Sequence, residues 1–167
     1  MMWDMLKKKY QKPKRGRKSP KRLTIWEKRF SRKLKKHHGN FHKKVFHRMM
    51  KKSSTLRSTL KRRSKEYEVE FEISLEQVRE LLYRAYGRPC YYCDKKLVID
   101  CMVCDHIMPL SLGGNSTPEN LQMICRRCNT RKGPLTDRNF KKLLKFLDRQ
   151  TKDLRSYVLR KLSSRDF

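Results

Sequence analysis

Apolar residues recur along this chain with two periods, and each predicts a kind of element. Leu75, Val78, Leu81, Leu82 and Ala85 fall three or four residues apart, on one face of a helix. Ser74 precedes them as an N-cap, with Gln77 at the reciprocal position of a capping box. Gly87 and then Arg88–Pro89 end the helix. From Glu66 to Ile73 acids alternate with apolar residues, a period of two that fits a short strand or an extended linker. Leu97 to Val103 is apolar enough for a strand. Asn120 to Ile124 is its expected antiparallel partner, across a loop containing Gly113–Gly114. A short helix should follow Cys125. Thr136 and Asp137 cap another, with Phe140, Leu143, Leu144 and Leu147 on its apolar face, and a last helix should run from Lys152 to Leu162.

Before residue 65 the pattern is weaker. Trp26, Phe30 and Leu34 have helical spacing, and Gly39–Asn40 breaks the run before a second basic helix. These helices are expected to order on a polyanion. Residues 1–24 are rich in Lys, Arg, Pro and Gly and are expected to be disordered when free.

Charge sharpens this division. The 167 residues carry a formal net charge of +29. Residues 1–65 hold 26 Lys or Arg and two acids, a net of +24; the remainder holds 19 and 14, a net of +5. Self-repulsion of that size calls for a polyanionic partner, and nucleic acid is the first candidate. No apolar stretch approaches the roughly 18 residues of a spanning helix. The patch at Met1, Met2, Trp3 and Met5 is too short for a secretory core. The expected compartment is therefore the cytoplasm, that of an infected host included. Three segments are expected: a basic DNA-binding arm at 1–65, a catalytic domain at 66–135, and C-terminal helices at 136–167 that pack on or extend it.

In a reducing compartment, C-x-x-C pairs favour metal over disulfide. Cys90, Cys93, Cys125 and Cys128 form two such pairs about 30 residues apart, and four thiolates can surround one zinc ion tetrahedrally. The alternative is buried free cysteines. Cys101 and Cys104 fall inside the expected strand, where residues three apart point to opposite faces, so they read as small strand residues. The other reading makes one of them a ligand.

Between the two clamps lies Asp105–His106–Ile107–Met108–Pro109–Leu110–Ser111–Leu112–Gly113–Gly114, followed by Asn120–Leu121 and by Cys128–Asn129–Thr130–Arg131–Lys132–Gly133. This succession resembles the zinc-containing HNH endonucleases over residues 88–134. The resemblance implies an α+β fold: a ββα-metal core with a four-cysteine zinc site, flanking helices and the basic N-terminal arm. The family's first His corresponds to His106 and its Asn to Asn120; its last His is Asn129 here, an H-N-N variant. The resemblance further implies Asp105 and Asn129 as oxygen ligands of a catalytic divalent ion. Such ligands suit Mg2+ or Mn2+, beside a structural Zn2+. It also places Asp105 and His106 at the end of a strand.

The residues carry part of this chemistry themselves. His106 is the only histidine after residue 65, and an ordinary imidazole is suited to accept a proton from water. Asn120 would brace the loop that holds His106. Arg126, Arg127 and Lys132 are available for phosphate. Arg15 and Arg17, in Pro13–Lys14–Arg15–Gly16–Arg17–Lys18, resemble an AT-hook for a narrow minor groove; a general phosphate-binding run is the competing reading. The expected function is metal-dependent hydrolysis of DNA, most simply double-stranded, of a homing or phage type, by a monomer or homodimer and with no small-molecule cofactor. A non-catalytic zinc-ribbon protein that binds nucleic acid, ribosomal or regulatory, is the alternative; it has no use for Asp105–His106 and Asn129 together.

Overall fold

The computed structural model describes residues 24–164. Arg15, Arg17 and the rest of the AT-hook-like run lie outside them. Two basic helices come first: α1 (Ile25–His38), then a single 3-10 turn at Gly39–Phe41, then α2 (His42–Glu66). Thr24 caps α1 in a full capping box with Glu27. α3 (Leu75–Ala85) follows, capped by Ser74 and Gln77 as the sequence predicts. Two small antiparallel sheets come next. β1 (Pro89–Cys90) and β2 (Cys93–Lys96) make a tight hairpin. β3 (Met102–His106) pairs with β4 (Leu121–Cys125), with Met102 opposite Cys125 and His106 opposite Leu121. Three helices complete the chain: α4 (Arg126–Lys132), α5 (Asp137–Leu147) and α6 (Lys152–Ser164). The succession β3, β4, α4 is the expected ββα arrangement within an α+β fold.

The basic helices are not waiting for a partner. Phe30, Leu34, Met49 and Leu60 are buried in one continuous core with Val78 and Leu82 of α3 and Met102 and Ile124 of the sheet. Each helix is polar overall but buries a narrow apolar stripe, which suffices when another element covers it. Phe30 meets Tyr83 edge-on at 5.3 Å between ring centroids. Glu27, also buried, accepts a 3.0 Å bond from Arg79 of α3, so a charge pair ties α1 to the same core.

Two local expectations change. The strand expected from Leu97 begins at Met102, because residues 97–101 form a turn in which Cys101 and Met102 both donate to the Val98 carbonyl. Leu97 and Ile99 are apolar because they plug the core from that turn. Cys101 therefore precedes the strand, and only Cys104 lies in it. The strand or extended linker expected from Glu66 begins later: Glu66 ends α2, Tyr67 and Glu68 form a turn in which Glu68 has φ 53, and the residues from 69 to 73 form no strand, their one bridge joining Phe71 to Ser116. Among the described residues, no helix is long and apolar enough to cross a membrane.

Candidate active site and metal centre

The two cysteine pairs converge. Cys90 and Cys93 face each other across the β1–β2 hairpin, while Cys125 caps α4 and Cys128 lies in its first turn. Their sulfurs all lie within 4.8 Å of one another. Cys93 is 3.7 Å from Cys125 and 3.4 Å from Cys128, sulfur to sulfur. A tetrahedral zinc ion with bonds of about 2.3 Å needs sulfurs about 3.8 Å apart, so the donor set fits zinc closely. Cys101 and Cys104 stand outside the cluster. Cys101 is held by the Val98 amide, and burial pushes the Cys104 thiol up to about 12.

On the other side of α4 is a cleft of about 580 Å³. Asp105, His106, Asn129 and Lys132 line it, with Arg63 of α2 and Leu162 of α6 on its rim. β3 presents Asp105 and His106 to opposite partners. His106 Nε2 lies 2.9 Å from Ser116 Oγ, and the Asp105 carboxylate accepts from Gln122 at 3.0 Å and from Lys132 at 3.1 Å. Asn120 does not line the cleft. Its side chain clamps the β3–β4 loop, accepting from the Met108 amide at 2.7 Å and donating to the carbonyls of Met108 and Asn115. The same loop explains its two glycines. Gly113 has φ +80, and a Cβ on Gly114 would come within 2.0 Å of the Met108 carbonyl oxygen.

This stretch also matches a known protein family, described as HNH endonuclease, over residues 90–145. Those residues belong to the HNH endonuclease family. A nuclease-type function on nucleic acid follows from that membership. No curated protein matches the chain.

Within the HNH segment, the electrostatics separate the two neighbours on β3. Burial holds the His106 pKa down to about 4, helped by the positive charges of Arg63 and Lys132. The imidazole is therefore neutral near pH 7 and able to accept a proton. Burial pushes the Asp105 carboxyl above its usual range, opposed chiefly by Lys132. Asp105 and Asn129 bring a carboxylate and an amide to the lining of one cleft, and oxygens of these kinds are the hard donors that Mg2+ and Mn2+ take. An ion held there would share the carboxylate with Lys132.

The phosphate role expected of Lys132 does not match its placement. It is 1% exposed, and besides Asp105 it donates to the His106 carbonyl at 2.8 Å. A side chain so enclosed cannot reach a phosphate from its present position. Arg126 and Arg127 are exposed at the start of α4.

Sequence reasoning missed three contributors. Ser116 holds the His106 ring, and only its place after the Gly113–Gly114 turn hints at it. Gln122 bridges Tyr92, at 2.7 Å, to Asp105, and Tyr92 donates to Asp137. Since Tyr92 sits between Cys90 and Cys93, this chain joins the cysteine hairpin to the cleft. Arg63 comes from a helix outside the HNH segment, where no motif points to it.

Proposed function

We propose that the chain is a metal-dependent DNA endonuclease in which His106 activates the attacking water. The observation that carries this reading is that one cleft gathers Asp105, His106 and Asn129 inside an HNH segment. His106 Nδ1 forms no hydrogen bond to any described residue, while Nε2 is occupied by Ser116. In this reading Nδ1 takes the proton of a water molecule whose oxygen attacks phosphorus. The phosphorus–O3′ bond breaks and O3′ takes a proton from solvent water, leaving 5′-phosphate and 3′-hydroxyl ends. Asp105 and Asn129 would hold a Mg2+ or Mn2+ ion, which supplies charge for the developing oxyanion. Asn120 keeps the β3–β4 loop in place, and the four cysteines hold Zn2+ as a structural element.

Double-stranded DNA is the proposed substrate, because a basic surface of this size suits two parallel rows of phosphates. A homing-type or phage role in a cytoplasm is the reading proposed for this strongly basic chain with its HNH segment. A monomer would nick; a dimer would cut both strands.

Supercoiled plasmid tests this directly. The expected result is Mg2+-dependent relaxation or linearisation by the wild type and none by His106→Ala. Equal cutting by both removes His106 as the base; cutting by neither at enzyme excess removes the catalytic reading and favours a zinc-ribbon binder.

A further inference from the structure

We infer that Arg63, on the last turns of α2, grips a substrate phosphate in the His106 cleft. This rests on the nuclease reading for the identity of the site, but Arg63 lies outside the HNH segment and outside every motif in it.

Three observations converge on Arg63. The first is its position: it lines the same cleft as Asp105, His106 and Asn129, and its charge acts on the His106 ring. The second is its availability. Among the described residues the cleft has three Lys or Arg in its lining: Arg63, Arg131 and Lys132. Lys132 is bound to Asp105, and Arg131 donates through Nε to Ser163 of α6. Arg62, next along α2, is paired with Glu66. The guanidinium of Arg63 makes no hydrogen bond or ion pair with any described residue, and it is exposed.

The third is that the helix is fixed to the catalytic loop. Ser64 Oγ donates to Ser116 Oγ at 2.7 Å, and Ser116 in turn meets His106 Nε2. Both serines are fully enclosed, with 1% and 0% exposure. The backbone repeats the attachment: Ser116 donates to the Glu70 carbonyl, and Glu72 donates to the Ser116 carbonyl. Arg63 is thus one residue from a buried tether that ends on the catalytic imidazole. A long, mobile side chain on a fixed backbone next to the base is well suited to a phosphate. Its planar fork can take two oxygens of one phosphodiester.

The test compares Arg63→Ala and Arg63→Lys with Arg84→Ala. Arg84 is an exposed arginine on α3, paired with Glu80 and not part of the cleft lining. Cleavage is measured in Mg2+, and duplex binding is measured by anisotropy in a His106→Ala background, so that nothing is cut. Arg63→Ala should lower kcat/KM about 10²-fold, as loss of a charge-stabilising donor does. Arg63→Lys should recover part of this, and Arg84→Ala should stay within about twofold of wild type. The log–log salt slope of binding should fall by about 0.9 for Arg63→Ala, the value of one phosphate contact. Arg63→Ala matching Arg84→Ala in both measurements overturns the assignment while leaving the nuclease reading intact. If the wild type cuts no DNA in Mg2+, the nuclease reading fails, and the binding slope alone decides: a drop for Arg63→Ala supports the phosphate grip, and an unchanged slope overturns it.

Discussion

The Lys132 ammonium lies 3.1 Å from the Asp105 carboxylate, and solvent reaches neither side chain freely. This pair sets the charge at the centre of the cleft, joining the last residues of β3 to the end of α4. A cation is held beside a carboxylate that the HNH resemblance assigns to a metal, so removing either partner should be felt throughout the site.

Breaking this pair from one side should be costly. Lys132→Met leaves a buried carboxylate without its cation, a situation that typically costs about 3–5 kcal/mol. Asp105→Asn together with Lys132→Met leaves neither charge and should recover a large part of the loss. Urea unfolding of the two single variants and the double variant measures the coupling. A cost under about 1 kcal/mol for Lys132→Met would mean that the pair behaves as a solvated surface bridge.

The zinc site should be structural and stoichiometric. One zinc per chain is expected by metal analysis, and Cys125→Ser should unfold the HNH segment, because binding free energy at such a site is folding free energy. Cys125 also caps α4, its sulfur accepting from the Cys128 amide at 3.4 Å, so two functions are lost together. Replacing Cys101 and Cys104 together should leave the zinc content at one. Since Tyr92 and Gln122 connect the zinc hairpin to Asp105, chelation should also weaken divalent-metal binding in the cleft.

Truncation separates the charge of the N-terminal region from its packing. Residues 1–23 carry ten Lys or Arg and one acid, whereas the described core is built from residues further along the chain. Their removal should leave folding intact and flatten the salt dependence of DNA binding. Removing residues 1–65 should instead unfold the protein, because it strips Phe30, Leu34, Met49 and Leu60 from against Val78 and Leu82. Circular dichroism melts of both truncations check this. A stable 66–167 fragment would show that the strand–helix half is self-sufficient.

How legible each feature was in the sequence depended on how local its cause is. The α3 cap at Ser74–Gln77, the β1–β2 turn at Cys90–Cys93 and the cap of α5 at Thr136 are each fixed by residues within a few positions, and pattern alone finds them. The four clustered cysteines were legible because thiol spacing dictates their geometry. Apolar Leu97–Val103 misled, because burial in a turn and burial in a strand demand the same residue types. The basic helices were hard to place for another reason: Phe30 and Leu34 make a narrow stripe on a very polar helix, and what covers it is far away in sequence. Lys132 looked like a phosphate ligand because a sequence gives charge but not burial. Ser116, Gln122 and Arg63 act through partners distant along the chain, which no local pattern encodes.

The acid limit of the reaction should report directly on His106. A histidine in water loses its proton near pH 6.5, so an exposed general base would fail below neutrality. His106 is held down to about 4, first by burial and then by Arg63 and Lys132. Lowering the pKa favours the neutral ring, and the neutral ring is the one that accepts a proton. Activity attributable to this group should therefore persist as pH falls through 6.5 and be lost only near 4. kcat/KM reports the free enzyme, so that is the quantity to follow. It should be flat with respect to the base from about pH 8 to about pH 5, then fall tenfold per unit. His106→Ala should lie at least about 10²-fold lower at pH 7 with zinc content and DNA binding retained. An acid limb centred near 6.5 would mean that the ring is solvated in the working enzyme. An acid limb near 4 that survives unchanged in His106→Ala would belong to another group, and His106 would not be the base.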